Sequence, residues 1–264
     1  MVPVPSITPM VTTASAPSSV WERIWQKAPS AERDDALLAR ERGGHRWELI
    51  TKKIARAFGR IDGLRTIELG SGRGDLSVLL AERGAAVTLL DTSATALELA
   101  QSRFERLGLP VVTVQADMFD WPRCNQGQFD VALSSGVIEH FTGTARTDAV
   151  RAHCDSIRPG GLVAISVPHA MCPPYRLWKL YLGLRRRWPY GFEQPYNGRE
   201  IVRRAREAGL AETEVEGVGL WHSISAHWAR DLCRLNVDWA NRRSIWDRYL
   251  GLILLMFGRR PDND

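Results

Sequence analysis

Apolar residues in the middle of the chain follow two alternating rhythms. Short strand-like runs end at Leu69 and cover residues 86–90, 111–115, 129–135 and 162–167. Between them the apolar positions recur at helical spacing. Residues 75–83 carry Leu76, Leu79 and Leu80 on one face, and residues 93–107 carry Leu97, Ala100, Phe104 and Leu107. Residues 145–157 continue the pattern, and residues 198–208 form an arginine-rich helical segment ending near Gly209. Strands and helices in regular succession predict an α/β fold built on a doubly wound sheet. Beyond it, residues 211–220 alternate like a strand and residues 250–257 form a buried-type apolar run. The stretch between them, 221–249, is expected to lay helices over one face.

The predicted strand tips carry the candidate chemistry. After Leu69, Gly70, Gly72 and Gly74 crowd into five residues before a helix. Glycine lets the backbone turn sharply there and lets a ligand lie close to it. A nicotinamide or flavin fingerprint would need a small residue where Asp75 stands, so this turn is of another kind. The second strand closes on Asp91, at about the separation from the glycine turn at which a carboxylate meets a ribose hydroxyl pair. The third leads into Ala116-Asp117-Met118. The fourth runs into Ser134-Ser135-Gly136-Val137-Ile138-Glu139-His140, and Arg158-Pro159-Gly160-Gly161 precedes the fifth. Singly, Asp91 reads equally well as a helix cap and Asp117 as a turn residue. Together they sit at strand C-termini, where open α/β sheets bind ligands.

The turn Glu68-x-Gly70-x-Gly72-x-Gly74 resembles motif I of the class I S-adenosylmethionine-dependent methyltransferases. The ordered strand-end signals from about Leu64 to Val167 resemble the small-molecule branch of that family. The resemblance implies a Rossmann-like, seven-stranded, mostly parallel sheet with an antiparallel C-terminal edge hairpin and helical lid insertions. It implies S-adenosyl-L-methionine as cofactor, with transfer by in-line displacement. The methionine end would lie against Gly70, Ser71, Gly72 and Gly74 near Glu68. Asp91 would hold the ribose with Thr92 at the adenine edge, Asp117 and Met118 would frame the adenine, and the backbone at Ser134 and Ser135 would border the methionine amino group.

Glu139-His140 matches the Glu-His of the ubiquinone-pathway O-methyltransferases. His140 and His169, each just after a strand, are candidate general bases, and Glu139 would orient an imidazole. Those relatives carry a further Glu three residues before their Glu-His, where this chain has Gly136. Too few oxygen donors remain for Mg²⁺, so no metal is expected. The Asp/Asn-Pro-Pro-aromatic signature of amino-methylases of DNA and RNA is absent, and Cys172 in Met171-Cys172-Pro173 matches no cytosine-C5 nucleophile.

Composition narrows the rest. The chain has 264 residues, 44% of them hydrophobic, enough for one sizeable domain with elaborations. The net charge of +5 is the excess of 35 basic over 30 acidic residues, and 31 of the basic residues are arginine. This compositional bias gives little support for nucleic-acid binding. Cys124, Cys154, Cys172 and Cys233 show no zinc-type spacing and read as packed thiols of a reducing compartment. Residues 1–17, rich in Pro, Ser and Thr, are expected to be a disordered tail, with no secretory pattern. Cytoplasmic residence is the default.

Two regions are left for the acceptor: an N-terminal helical lid over 18–60, with Trp21, Trp25, His45, Arg46 and Trp47, and an insertion over 169–197. The core domain is expected to occupy 61–264. Arg46 or His45 would meet the methionine carboxylate. Residues 175–188 interleave Leu and Trp with arginine. They fit either a packed lid helix with snorkelling arginines or an interfacial helix making peripheral membrane contact. The acceptor is expected to be a small or lipid-like molecule. RNA or protein methylation, or a non-catalytic cofactor-binding scaffold, are the alternatives.

Overall fold

The computed structural model describes residues 18–27, 30–121, 126–230, 239 and 241–262. The expected tail at 1–17, Cys124, Cys233 and part of the 221–249 segment lie outside them. Five parallel strands form the body of the sheet: β1 (Arg65–Leu69), β2 (Ala86–Asp91), β3 (Val112–Gln115), β4 (Phe129–Ser135) and β5 (Ile157–Pro168). After them β6 (Ala211–Val218) and β7 (Ile253–Arg259) close the edge, giving the order β3-β2-β1-β4-β5-β7-β6. β7 pairs antiparallel with both β5 and β6. The order reverses between β1 and β4, so a crevice opens at the C-terminal ends of those strands.

Both faces of the sheet are covered. On one lie α3 (His45–Phe58), α4 (Asp75–Ala81) and α5 (Ala94–Arg106), packed on Val131, Leu133, Ala164 and Phe257. On the other lie α6 (Ala145–Ser156) and α8 (Gly198–Glu207), packed on Ile67, Leu69, Ala132, Val163 and Met256. Successive strand residues therefore serve opposite faces, and the strands read as continuous apolar runs. Helix starts follow local chemistry: the Ser93 hydroxyl accepts from Ala96 N and the Asn197 side chain from Glu200 N.

Ahead of β1, α1 (Ser18–Trp25) and α2 (Ala31–Arg42) precede α3. The expected lid over 18–60 divides in two. Trp47, Ile50 and Ile54 of α3 are buried in the sheet core, so this helix is part of the fold's body, and Trp47 is unavailable to an acceptor. α1 packs instead over α5 and the strand ends. The 169–197 insertion contains α7 (Pro173–Leu184). Within 221–249 the described residues form α9 (Leu220–Ile224), a π-helical turn over Ser225–Arg230 and α10 (Asp247–Leu250). The β7 strand begins at Ile253, three residues later than the apolar run suggests, because Asp247 to Leu250 complete a helical turn first.

Candidate functional site

A cavity of about 500 Å³ opens at the crevice predicted by the strand order. Its floor is the glycine turn. Gly70, Gly72 and Gly74 all have left-handed φ, of 65°, 52° and 67°. The Gly70 and Ser71 amides both donate to the Leu90 carbonyl, at 2.7 and 3.0 Å. The Gly72 amide donates to Asp91 Oδ2 at 2.8 Å, while Asp91 Oδ1 accepts from Ser93 N at 2.9 Å. These amides are thus committed within the protein, and the turn offers a ligand its surface more than its N–H groups. The Asp91 oxygens each keep a lone pair, and burial raises this carboxyl above its ordinary value.

The glycines are also closely covered. A Cβ on Gly70 would lie 2.7 Å from Val137 Cγ2, and one on Gly72 would lie 2.7 Å from Trp25 Cη2. Gly74 does not line the cavity: it lets α4 approach β2, since its Cβ would stand 3.1 Å from Leu89 and 3.4 Å from Phe104. This is the close-packing task that Asp75 cannot perform.

Of the residues expected at the site, Glu68, Gly70, Ser71, Gly72, Asp91, Thr92, Asp117, Met118, Ser135 and His140 line the cavity together. Ser134, Glu139 and His169 do not. Ser134 is buried in β4 with an unpaired hydroxyl. His169 follows the last residue of β5 and is buried, its amide donating to Leu252 O. Glu139 is 2% exposed, 3.9 Å from His140 Nε2 and beyond hydrogen-bond reach. Burial pushes both Glu68 and Glu139 up to about 8, against the Ser77 hydrogen bond in one case and Arg146 and Lys179 in the other. Asp117 is exposed and its Oδ1 accepts from Phe119 N at 2.9 Å, while Met118 is buried beside it.

His140 is held tightly. Its Nδ1 lies 2.6 Å from the Phe192 carbonyl, and the edge of Trp21 stands 4.9 Å away between ring centres. Burial lowers its basicity below the ordinary histidine value, only partly offset by the carbonyls of Phe192 and Gly136. Arg46 reaches the cavity from α3, bound to Glu41 and donating to Ser135 Oγ at 2.7 Å. His45 does not line it.

Sequence reasoning placed Trp21 and Trp25 in a lid without giving them a task. Here, four residues apart on α1, both line the cavity and stack at 6.3 Å. Glu22 on the same helix accepts from Ser93 Oγ at 2.5 Å, tying α1 to the end of β2. Arg73, also in the wall, is paired with Asp34 of α2.

Comparison with known proteins matches this geometry. A family described as a methyltransferase domain covers residues 67–161. A ubiquinone biosynthesis O-methyltransferase of Methylobacterium sp. (strain 4-46) is 30% identical over 179 residues, 64% of this chain and 69% of the relative. The chain belongs to the class I S-adenosylmethionine-dependent methyltransferases. The methyltransferase is also 29% identical to the corresponding enzyme of Methylobacterium nodulans, over 68% of this chain and 75% of that one. In fold it resembles the 1,6-didemethyltoxoflavin-N1-methyltransferase of Burkholderia thailandensis, solved with S-adenosylhomocysteine, with a TM-score of 0.61 and 16% identity over 99% and 94% of the two chains.

S-adenosylmethionine is its cofactor, and the cavity suits that group. It combines a carboxylate with spare lone pairs at Asp91, a guanidinium at Arg46, an apolar wall at Met118 and Leu90, and a buried, unpaired hydroxyl at Ser71. Among the described residues no three His, Cys, Asp or Glu side chains converge as a metal site. Cys154 and Cys172 are buried thiols pushed up to about 11 by burial, far from the thiolate form.

Proposed function

We propose that this methyltransferase transfers its methyl group to a hydroxyl of a small, lipid-like acceptor such as a quinone precursor, with His140 as general base. The observation that carries this reading is the state of His140 in the cavity wall. Burial keeps the ring neutral near pH 7, and Nδ1–H donates to the Phe192 carbonyl, leaving a lone pair on Nε2. When bound, S-adenosylmethionine supplies an electrophilic methyl group on a positively charged sulfur. His140 Nε2 would take the acceptor hydroxyl's proton as the methyl carbon passes to that oxygen, its bond to sulfur breaking to leave S-adenosylhomocysteine. Positioning provides much of the remaining rate, roughly 7–11 kcal/mol for well-oriented partners. The relatives' activity in ubiquinone biosynthesis supports an oxygen acceptor.

For the cofactor, Asp91 would accept from the ribose hydroxyls, with Thr92, Asp117 and Met118 around the adenine. Arg46 would face the methionine carboxylate, with Glu68, Ser71 and Ser135 near the amino group. Trp21 and Trp25 would close over it.

A lipid-like acceptor also accounts for the outer face of α7. Leu177, Leu180 and Leu184 are exposed there, Leu184 by 79%, and Met171, Tyr190 and Phe192 are exposed in the segments flanking the helix. Arg185, Arg186 and Arg187 follow at the helix end. An apolar face rimmed with guanidinium groups suits peripheral contact with an anionic bilayer. No helix among the described residues is long and apolar enough to cross a membrane.

The test is methyl transfer from labelled S-adenosylmethionine to an alkyl-substituted catechol, with cell extract run in parallel. An O-methylated catechol is the expected product, and His140→Gln should lower kcat by about 10²–10⁴-fold. In the wild type the rate should fall as pH drops through the His140 pKa, which lies below 6.5. Label entering only RNA or protein would overturn the proposal.

A further inference from the structure

Three consecutive residues beside the cavity are gripped from several elements at once. The Phe192 carbonyl accepts from His140 Nδ1 at 2.6 Å. The Glu193 carbonyl accepts from Lys179 Nζ at 2.6 Å. The Gln194 amide donates to the Glu139 carbonyl at 2.8 Å, and its own carbonyl accepts from Arg146 Nη1 at 2.9 Å. The Glu193 side chain, only 5% exposed, turns back to α7. There its Oε1 accepts from the Tyr175 hydroxyl and stands 3.4 Å from Lys179 Nζ. Tyr175 and Lys179 are four residues apart, so one helix face presents both groups to the same carboxylate. Trp188 closes the cluster, its ring 5.1 Å from Lys179 Nζ and 6.3 Å from Tyr175.

Apolar contacts alone would seat a lid helix. A carboxyl and an amine taken largely out of water give little net stability, because their desolvation offsets their attraction. What they do provide is direction. The Lys179 ammonium holds the Glu193 carbonyl while the Tyr175 hydroxyl holds its side chain, and the Glu139 and Arg146 contacts fix Gln194 from the other side. Between these two anchors and His140 the Phe192 carbonyl has one orientation. A carbonyl can only accept, so the ring nitrogen facing it must carry the proton.

We propose that Lys179 and Glu193, with Tyr175, are positioning residues for methyl transfer: they hold the Phe192 carbonyl against His140 Nδ1 and thereby fix the tautomer in which Nε2 is free to take a proton. α7 and the base are thus one mechanical unit. An acceptor that seats α7 correctly also sets the base. This rests on the reading of His140 as the base, but the tautomer can be measured without any acceptor.

The test uses the full chain with ¹⁵N-labelled histidine and bound S-adenosylhomocysteine. In the wild type and in Lys179→Arg, which keeps a charge and donors, the His140 nitrogen shifts should report a proton on Nδ1. In Lys179→Met and Glu193→Gln they should move toward an average of the two tautomers. With the alkyl catechol, kcat should fall about tenfold or more in both variants. Affinity for S-adenosylhomocysteine, bound in the other part of the cavity, should stay within about twofold of wild type. Glu193→Gln preserves shape and guards against loss of fold in the other variant. Retention of the Nδ1–H form in both variants, or mixed tautomers with unchanged kcat, would overturn the proposal. His140→Gln, measured alongside, separates the two ideas. If it is fully active, the base reading fails. If it is impaired while both clamp variants keep tautomer and rate, the clamp alone fails.

Discussion

At Asp91 a single carboxylate closes the glycine turn through Gly72 N, caps the start of α5 through Ser93 N and faces the cavity. Asp91→Ala should therefore weaken S-adenosylhomocysteine binding by roughly 10- to 100-fold, about 1.4–2.8 kcal/mol, measured by calorimetry. Asp91→Asn, which keeps one acceptor, should lose less. Glu139 tells a different story, because its carboxyl is buried without a partner for Oε2. Its folded pKa of about 8 exceeds the ordinary 4.5, so between these values the folded chain binds more protons than the unfolded one. Its contribution is present below pH 4.5 and lost as pH rises through 8. Glu139→Gln should match wild type in thermal midpoint near pH 4.5 and become progressively more stable than it toward pH 8. A constant difference across that range would show that Glu139 ionises freely in the fold. Glu139 and His140 were legible in the sequence as a pair. Their unequal access to the cavity was not, since adjacent residues in a 3₁₀ turn point to different surroundings.

At the scale of elements, the N-terminal helices divide by what they bury. Ile54 of α3 is fully buried against the sheet, so Ile54→Ala should cost about 2–5 kcal/mol of stability in denaturant titrations. Trp25 of α1 covers Gly72 and stacks on Trp21. Trp25→Ala should leave the unfolding free energy of the cofactor-free protein within about 1 kcal/mol of wild type. It should release S-adenosylhomocysteine several-fold faster in stopped-flow fluorescence. Equal effects of the two substitutions on stability would contradict the division. The sequence suggested a single lid from 18 to 60. Trp47, Ile50 and Ile54 stand three and four residues apart, a spacing that fits a face turned to the sheet or to a ligand equally well. Both are apolar surfaces, and only the three-dimensional arrangement distinguishes them.

For the molecule as a whole, α7 presents Leu177, Leu180 and Leu184 outward. Vesicles containing anionic lipid should carry the protein in flotation, and neutral vesicles should carry much less. Binding should weaken with salt, since the arginine contribution is about 1 kcal/mol per charge near such a surface and is screened within a Debye length. Replacing Arg185, Arg186 and Arg187 together by Ala should abolish most of the preference. Equal binding to neutral and anionic vesicles would remove the electrostatic part of the argument. Arg185 to Arg187 carry a cluster of charge that the net +5 conceals.

The alternating periods of apolar residues, the glycines after Leu69 and the acidic strand tips determined the sheet, its order of elements and the position of the cofactor crevice. These features are local: they depend on backbone conformation and on which face a residue presents. Tertiary structure alone decided that the turn's amides are spent on Leu90 and Asp91, that Gly74 serves packing, and that His140 reaches the cavity while His169 does not. It also joined residues 192–194 to His140 and α7, across more than fifty positions of chain. Such contacts follow from how packed layers bring distant segments within hydrogen-bond reach, and no spacing along one strand or helix encodes that distance.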